Sequence, residues 1–473
     1  MLFSSTVFVF VFLPVVLAGY YCFFHSQKAR NSFLLLASLL FYAWGEPVYV
    51  LLMMGCIAIN YGFGLAMDTS VGRVKKRFLV LAVMLDLGIL FVFKYLDFTL
   101  ETVGFVLHRS LPKSNLLLPI GISFFTFQAM SYVIDVYRGT TPPQKSLLDL
   151  GLYISFFPQL IAGPIVRYNT IAEQIRSRET TPVQFEYGVR RFIFGFSKKI
   201  LLANTLAASA EKAFSLAQSG DLSCAMAWIG ALAYTFQIYF DFSGYSDMAI
   251  GLGALFGFRF EENFRYPYLS HSVSEFWNRW HISLGKWFRD YVYFPMGGSR
   301  VGRRKLLRNL FAVWLLTGIW HGAAWQYIVW GLGYGTIISF EKLSGIPKKL
   351  KDPVLIRAYA LCTFLVVMGG WVIFGAADLS AGLAQLKAML GIGTVSFVDG
   401  TARFYIRENA FFFAAAALFS TPFPAKAARK LGFIEDADRV RSALRALWAM
   451  LLFLVSVSYL AMGAHNPFIY FTF

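Results

Sequence analysis

From Leu310 to Phe340 the chain runs 31 residues without a Lys, Arg, Asp or Glu, and inside that run stands a single imidazole, His321. A helix needs about 20 apolar residues to cross the hydrocarbon core of a bilayer. The stretch therefore confines the chain to folds whose backbone polar groups are paired internally in lipid. At about 1.5 Å of rise per helical residue, the spacing predicts His321 roughly 16 Å below Leu310, near the middle of a ~30 Å core. Ionisable groups at that depth are costly and mark function. Gly318 and Gly322 flank the imidazole one turn apart, so a substrate or another helix can approach it closely.

The rest of the chain has the same character. Of its 473 residues 57% are hydrophobic and 18% aromatic, and only 15% are charged, which takes it outside the soluble range. The expected class is all-α: a polytopic membrane protein, residues 1–473 forming one domain of packed helices. A net charge of +17 invites a nucleic-acid reading, but the Lys and Arg stand in short clusters between apolar runs, as cytoplasmic loops require. Nucleic acid is excluded on that ground. The four cysteines are scattered without a CxxC pair, so no metal centre or disulfide framework is expected. Lys28 and Arg30 follow the first apolar run and nothing basic precedes it, so this run is expected to stay in place with its N-terminus outside the cytoplasm.

In chain order, residues 3–24 read as a first span, and residues 33–67 as two helices split by Gly45, Glu46 and Pro47. Residues 78–93 cross outward to a loop at 97–115, and 116–136 return. The apolar piece 147–166 contains Pro158, Gly163 and Pro164 and is expected to be discontinuous, dipping into the membrane or lying against it. Residues 168–199 read as a basic amphipathic section at the cytoplasmic side. Helices follow at 200–216 and 225–240, and the polar island from Asp241 to Asp247 interrupts the apolar pattern. Residues 259–308 carry ten basic residues against four acidic ones. After the charge-free run come helices at 355–374, 410–419 and 443–462, the last preceded by a charged connection over 426–445. Periodicity counts roughly eleven spanning or near-spanning helices. No internal repeat is visible, which counts against a transporter built from inverted repeats.

Three polar constellations carry candidate chemistry. The first is His321, read either as a buried imidazole packed at a small-residue contact or as a general base kept neutral by a dry, aromatic-lined site. The second is His281. If residues 275–291 form one helix, Trp277, Trp280, His281, Leu284, Phe288 and Tyr291 share a face, and the imidazole turns toward an aromatic interior. The bland alternative is an interfacial amphipathic helix. The third is the island of Asp241, Ser243, Tyr245, Ser246 and Asp247. Its two carboxylates are six residues apart with no His beside them, which favours a broken helix whose turn is hydrogen-bonded by Asp and Ser.

These residues lie in motifs that resemble the membrane-bound O-acyltransferase (MBOAT) family, in its alginate O-acetylation branch. The matching segments are LLPIGISFFTFQAMSYVIDVYRG (117–139), FFPQLIAGPIVRY (156–168), YFDFSGYSDMAIGLGALFGFRF (239–260), EFWNRWHISLGKWFRDYVYFPMGGSR (275–300) and NLFAVWLLTGIWHGAAWQYIVWG (309–331). The resemblance implies an MBOAT ring of helices, with re-entrant and amphipathic pieces, around a central tunnel built from about 240–340. It makes His321 and His281 the catalytic pair and places Asp241, Ser243, Tyr245, Trp280, Asn309 and Trp320 along the tunnel. The implied reaction moves an acetyl group from cytoplasmic acetyl-CoA to a hydroxyl at the opposite face. His321 takes the hydroxyl proton, and His281 positions the donor or polarises its carbonyl oxygen. The implied setting is the bacterial inner membrane. Acetyl-CoA is a substrate there, no cofactor stays bound, and a periplasmic SGNH-like acetyltransferase or a polysaccharide export complex is the partner. Peptidoglycan or cellulose O-acetylation and D-alanyl transfer to teichoic acid are alternatives within the class. Outside it stand a polysaccharide or proton transporter and a structural scaffold.

Overall fold

A computed structural model of the chain describes residues 1–23, 25–430, 439–462 and 469. His465 and residues 431–438 of the expected charged connection lie outside the described residues. Among the described residues every regular element is a helix. Four of these are long and apolar enough to cross a membrane: Tyr49–Asp68, Gly72–Val106, Pro353–Gly375 and Val440–Ala461. A fifth is obtained if Gly400–Phe419 and Phe423–Lys430, bent by 69°, form one span. By length and composition this is a polytopic membrane protein.

The chain divides into two compact units. One comprises residues 1–192 and 246–261, and the other 193–245 and 262–473. The first unit opens with a π-helical turn, Phe8–Phe12, that runs into α1 (Leu13–Cys22). α2 (Gln27–Ala43) and α3 (Tyr49–Asp68) follow, separated at Gly45, Glu46 and Pro47 as the breaker residues predict. α4 (Gly72–Leu90) continues through a π-turn at Phe91–Tyr95 into α5 (Leu96–Val106). The loop expected from residue 97 therefore begins only after Val106. No Gly or Pro interrupts Leu96–Thr102, and the π-turn absorbs the register change without breaking the helix.

In the rest of this unit, α6 (Ile122–Arg138) is almost entirely buried, and α7 (Leu147–Ser155) is buried from Leu150 on. The expected discontinuity is present: α7 ends at Ser155, Phe156 is non-helical, and α8 (Phe157–Leu160) is a single turn carrying Pro158. Free backbone groups there are taken up internally, for example by Ser38 Oγ, which accepts from Phe157 N at 3.2 Å. α9 (Tyr168–Arg176) and the first part of α10 (Pro182–Ser197) complete the basic section.

In the second unit, α10 passes through a π-turn at Lys198–Ala203 into α11 (Asn204–Ser219). α12 (Cys224–Leu255), one helix of 32 residues, starts in this unit, and its residues from Ser246 on belong to the first. The break expected at Asp241–Asp247 does not occur. Each carboxylate has a cation of its own: Asp241 pairs with Lys199 at 2.5 Å and Asp247 with Arg191 at 2.6 Å. The polar groups thus need no turn to satisfy them. Gly244 lets this stretch lie against α10, since a Cβ there would stand 2.7 Å from Gly195 O.

The single helix expected over 275–291 is also corrected. α13 (Val273–Arg279) stops, Trp280 is extended, His281 takes the left-handed conformation at φ 43°, and α14 (Ile282–Phe288) starts afresh. The charge-free run, in turn, forms two helices, α15 (Arg303–His321) and α16 (Trp325–Ser344), with Gly322 and Ala324 extended between them. They pack antiparallel through glycines. A Cβ on Gly318 would collide with Tyr327 O and meet Gly331 Cα, and one on Gly331 would collide with Trp314 O. The flanking glycines therefore serve helix approach, one of the two uses expected of them.

Gly318→Val forces the α15–α16 pair apart against backbone atoms that cannot yield. A loss of at least about 1–3 kcal/mol is expected, read as a lower unfolding midpoint of the detergent-solubilised protein. A Gly333→Ala control should melt as the parent does, because nothing stands within 4 Å of a Cβ at Gly333.

Candidate active site

His321 is the last residue of α15, where the chain leaves the helix at the extended Gly322. Its ring is met edge-to-face by three aromatics: Trp320 at 5.0 Å, Trp330 of α16 at 5.2 Å and Phe374 of the helix Pro353–Gly375 at 5.2 Å. Behind them Trp330 packs on Trp277 at 5.3 Å, and Tyr327 on Phe374 at 5.1 Å. The aromatic lining around His321 thus comes from its own helix, from α16 and from the helix Pro353–Gly375.

His281 stands at the α13–α14 break. Phe242 of α12 meets its ring edge-to-face at 4.6 Å, and Trp320 lies 6.0 Å away. Both imidazoles thus lie against the Trp320 indole. Relative exposure is 2% at His281 and 4% at His321, so both rings are buried.

His281 Nδ1 lies 3.2 Å from Asn263 Oδ1 and 3.5 Å from Ser283 Oγ. Asn263 also accepts, at its main-chain oxygen, from Ile282 N at 3.0 Å. Its side-chain oxygen accepts from Ser283 N at 3.1 Å and Ser283 Oγ at 2.9 Å. These contacts take up the first amide groups of α14 and hold the left-handed residue in place. A non-glycine residue in that region costs about 1–2 kcal/mol, and such strain persists only where its surroundings over-determine it.

The other expected tunnel residues divide into two groups. Trp320 and the buried Ser243 and Tyr245 remain candidates, and Ser243 Oγ has no hydrogen-bond partner. Asp241, Asn309 and Trp280 each have protein partners. Asp241 is committed to Lys199 and also accepts from Ile469 N at 3.0 Å. Asn309 donates from Nδ2 to Met296 O at 3.0 Å and Gly298 O at 3.1 Å, pinning the Gly297–Gly298 turn to α15. Trp280 packs among Trp371 at 4.7 Å, Phe264 at 5.0 Å and Phe276 at 5.6 Å.

Residues that the sequence did not single out are Asn263, Phe242, Trp330 and Phe374. Asn263 left no usable signal, being one polar residue among Arg259, Glu261, Glu262 and Arg265 in the segment Phe258–Tyr268. The others are aromatics among many.

Comparison with known proteins agrees with this picture. A family model described as MBOAT, membrane-bound O-acyltransferase family, matches residues 143–377. A probable alginate O-acetylase of Pseudomonas putida is 41% identical over the whole of both chains. Another from Pseudomonas aeruginosa is 45% identical over 83% of this chain and 76% of its own length. A peptidoglycan O-acetyltransferase of Helicobacter pylori is 36% identical over 84% of this chain and 81% of its own. With full-length identity of this order on top of two buried histidines in a membrane protein whose described regular elements are all helices, the chain belongs to the membrane-bound O-acyltransferase family.

Proposed function

We propose that this acyltransferase takes an acetyl group from acetyl-CoA on the cytoplasmic side of the bacterial inner membrane and delivers it toward the opposite face for O-acetylation of an exported polysaccharide. The observation that carries the reading is the packing of two buried imidazoles on one indole, Trp320. His321 takes the proton of the acceptor hydroxyl as its oxygen attacks the thioester carbonyl carbon. The C–O bond forms, the C–S bond breaks, and the departing thiolate takes up the proton that His321 received. His281 binds and orients a reactant beside it. The membrane arrangement proposed with this reading is roughly eleven spanning or near-spanning helices with a tunnel reaching the histidine pair. The basic loops favour the polyanionic end of the donor at the cytoplasmic mouth.

The names of the relatives at 41% and 45% identity favour alginate as the final acceptor, reached through a periplasmic acetyltransferase or an export complex. The Helicobacter relative makes peptidoglycan the second reading. The test is purified protein in nanodiscs, supplied with acetyl-CoA carrying a labelled acetyl group and with oligomannuronate or muropeptide acceptors, each with and without a periplasmic SGNH-like acetyltransferase. Label appearing on oligomannuronate supports the proposal, and label on muropeptides alone replaces the acceptor. Consumption of a D-alanyl carrier protein but not of acetyl-CoA overturns the donor.

A further inference from the structure

We propose that Asn263 is a positioning residue that fixes the tautomer of His281, protonating Nδ1 and leaving Nε2 as a bare lone pair for a substrate N–H or O–H. The inference rests on the reading above only in taking the His281–His321 region as the place of reaction. Its structural part stands on hydrogen-bond geometry alone.

The Ser283 main-chain N–H can only donate, and it points at the Asn263 side-chain amide at 3.1 Å. The atom facing it must therefore be the amide oxygen, because an NH2 there would set donor against donor. The amide cannot be flipped, and Ser283 Oγ donates to the same oxygen at 2.9 Å. That oxygen is also the atom 3.2 Å from His281 Nδ1. An amide oxygen accepts only, so the contact is a hydrogen bond only if Nδ1 carries the proton. A neutral imidazole has one N–H, so Nε2 then has none.

The surroundings of Nε2 agree. It is buried and has no hydrogen-bond partner, and the ring faces Phe242 and Trp320. No carboxylate is paired with His281 among the described residues, so nothing there compensates a doubly protonated, charged ring. An unpaired buried acceptor is costly unless something comes to satisfy it. The group that fits is a donor on a bound reactant, either an amide N–H of the thioester's arm or the acceptor hydroxyl.

This decides between the two roles expected for His281. A bare Nε2 cannot donate to a thioester carbonyl oxygen, so His281 orients a reactant and does not polarise the carbonyl. Asn263 is also well placed to hold the choice. It grips residues 281–283 through both its side-chain and main-chain oxygens, across the left-handed turn at His281.

The test has a spectroscopic arm and a kinetic arm. Histidine-selective 15N labelling of the full-length protein in lipid, with His281→Gln to assign the signal, reads which ring nitrogen bears hydrogen. A protonated Nδ1 and an unprotonated Nε2 are expected, and a proton on Nε2 overturns the proposal whatever the activity.

In the kinetic arm, Asn263→Leu removes the acceptor and is expected to lower kcat/KM about 10- to 100-fold, the range seen when the outer partner of a metal-bound histidine is lost. Asn263→Asp keeps an acceptor-only oxygen. It should recover most of the activity, with the acidic limb of the pH profile moved to higher pH, because a carboxylate favours the protonated ring. Equal losses in the two variants with an unmoved pH profile make Asn263 merely structural and overturn the proposal. Should Asn263→Leu fail to fold, the wild-type spectrum and the Asn263→Asp profile still decide. Full transfer by His281→Ala together with the expected spectrum would instead sink the functional reading while leaving the tautomer assignment intact.

Discussion

His321→Ala is expected to abolish most acetyl transfer, with a loss of about 10²- to 10⁴-fold in the rate of the chemical step. The reason is the place of the ring. It closes α15 inside a cage of Trp320, Trp330 and Phe374, and His281 lies against the same Trp320 indole. If His321 takes the hydroxyl proton, the mutant should bind donor nearly as well as the parent and fail at the transfer itself. Single-turnover release of CoA thiol in nanodiscs, with donor binding measured separately, tests both halves. A His321→Ala protein that turns over at the parental rate removes the proposed base. A mutant that merely binds donor more weakly, with the step unchanged, makes His321 a packing residue.

Lys199→Met should be the most damaging single change away from the histidines. Lys199 Nζ and Asp241 Oδ1 meet at 2.5 Å with both side chains 2% exposed. Removing the cation strands a carboxylate in an interior that cannot solvate it. Breaking a buried pair in this way costs about 3–5 kcal/mol, a large share of the margin by which a domain is stable, about 5–15 kcal/mol. Because a buried pair gives little net stability over well-packed apolar residues, the double variant Lys199→Met with Asp241→Leu should regain most of the loss. The measurement is thermal unfolding of all three variants in one detergent. If the double variant melts no higher than the single one, the ion pair is not what the lysine contributes. If Lys199→Met melts like the parent, the pair is dispensable.

The two cases differ in how they were visible beforehand. His321 stood out because a lone ionisable residue in a long uncharged run has few bland explanations. Lys199 did not, since it sits in a basic stretch and reads as one more cytoplasmic cation. Its partner lies 42 residues on, across a helix and a loop, and the π-turn at Lys198–Ala203 that directs it leaves no pattern in the residues. The same limit produced the errors at 241–247 and 275–291. Local reading took Asp, Ser and Gly together as a helix breaker, but Arg191 and Lys199 neutralise the island and α12 runs through it. Local reading likewise extended α13 through Trp280 and His281, where nothing in the pattern forbids a helix. Asn263, 18 residues earlier, takes the amide of Ser283 and starts a new one.

Helical class, membrane character, the breaks at Gly45–Pro47 and around Pro158, and the choice of His321 as a candidate all follow from short-range chemistry. Run length, breaker residues and the rarity of charge act within a few turns of one another, so the order of residues is enough to read them. Which cation meets which carboxylate, which rings enclose His321 and which nitrogen of His281 carries the proton are decided by contacts between segments that only packing brings together. In an apolar interior a polar atom left unmatched is expensive, and the partner that relieves it can come from anywhere along the chain.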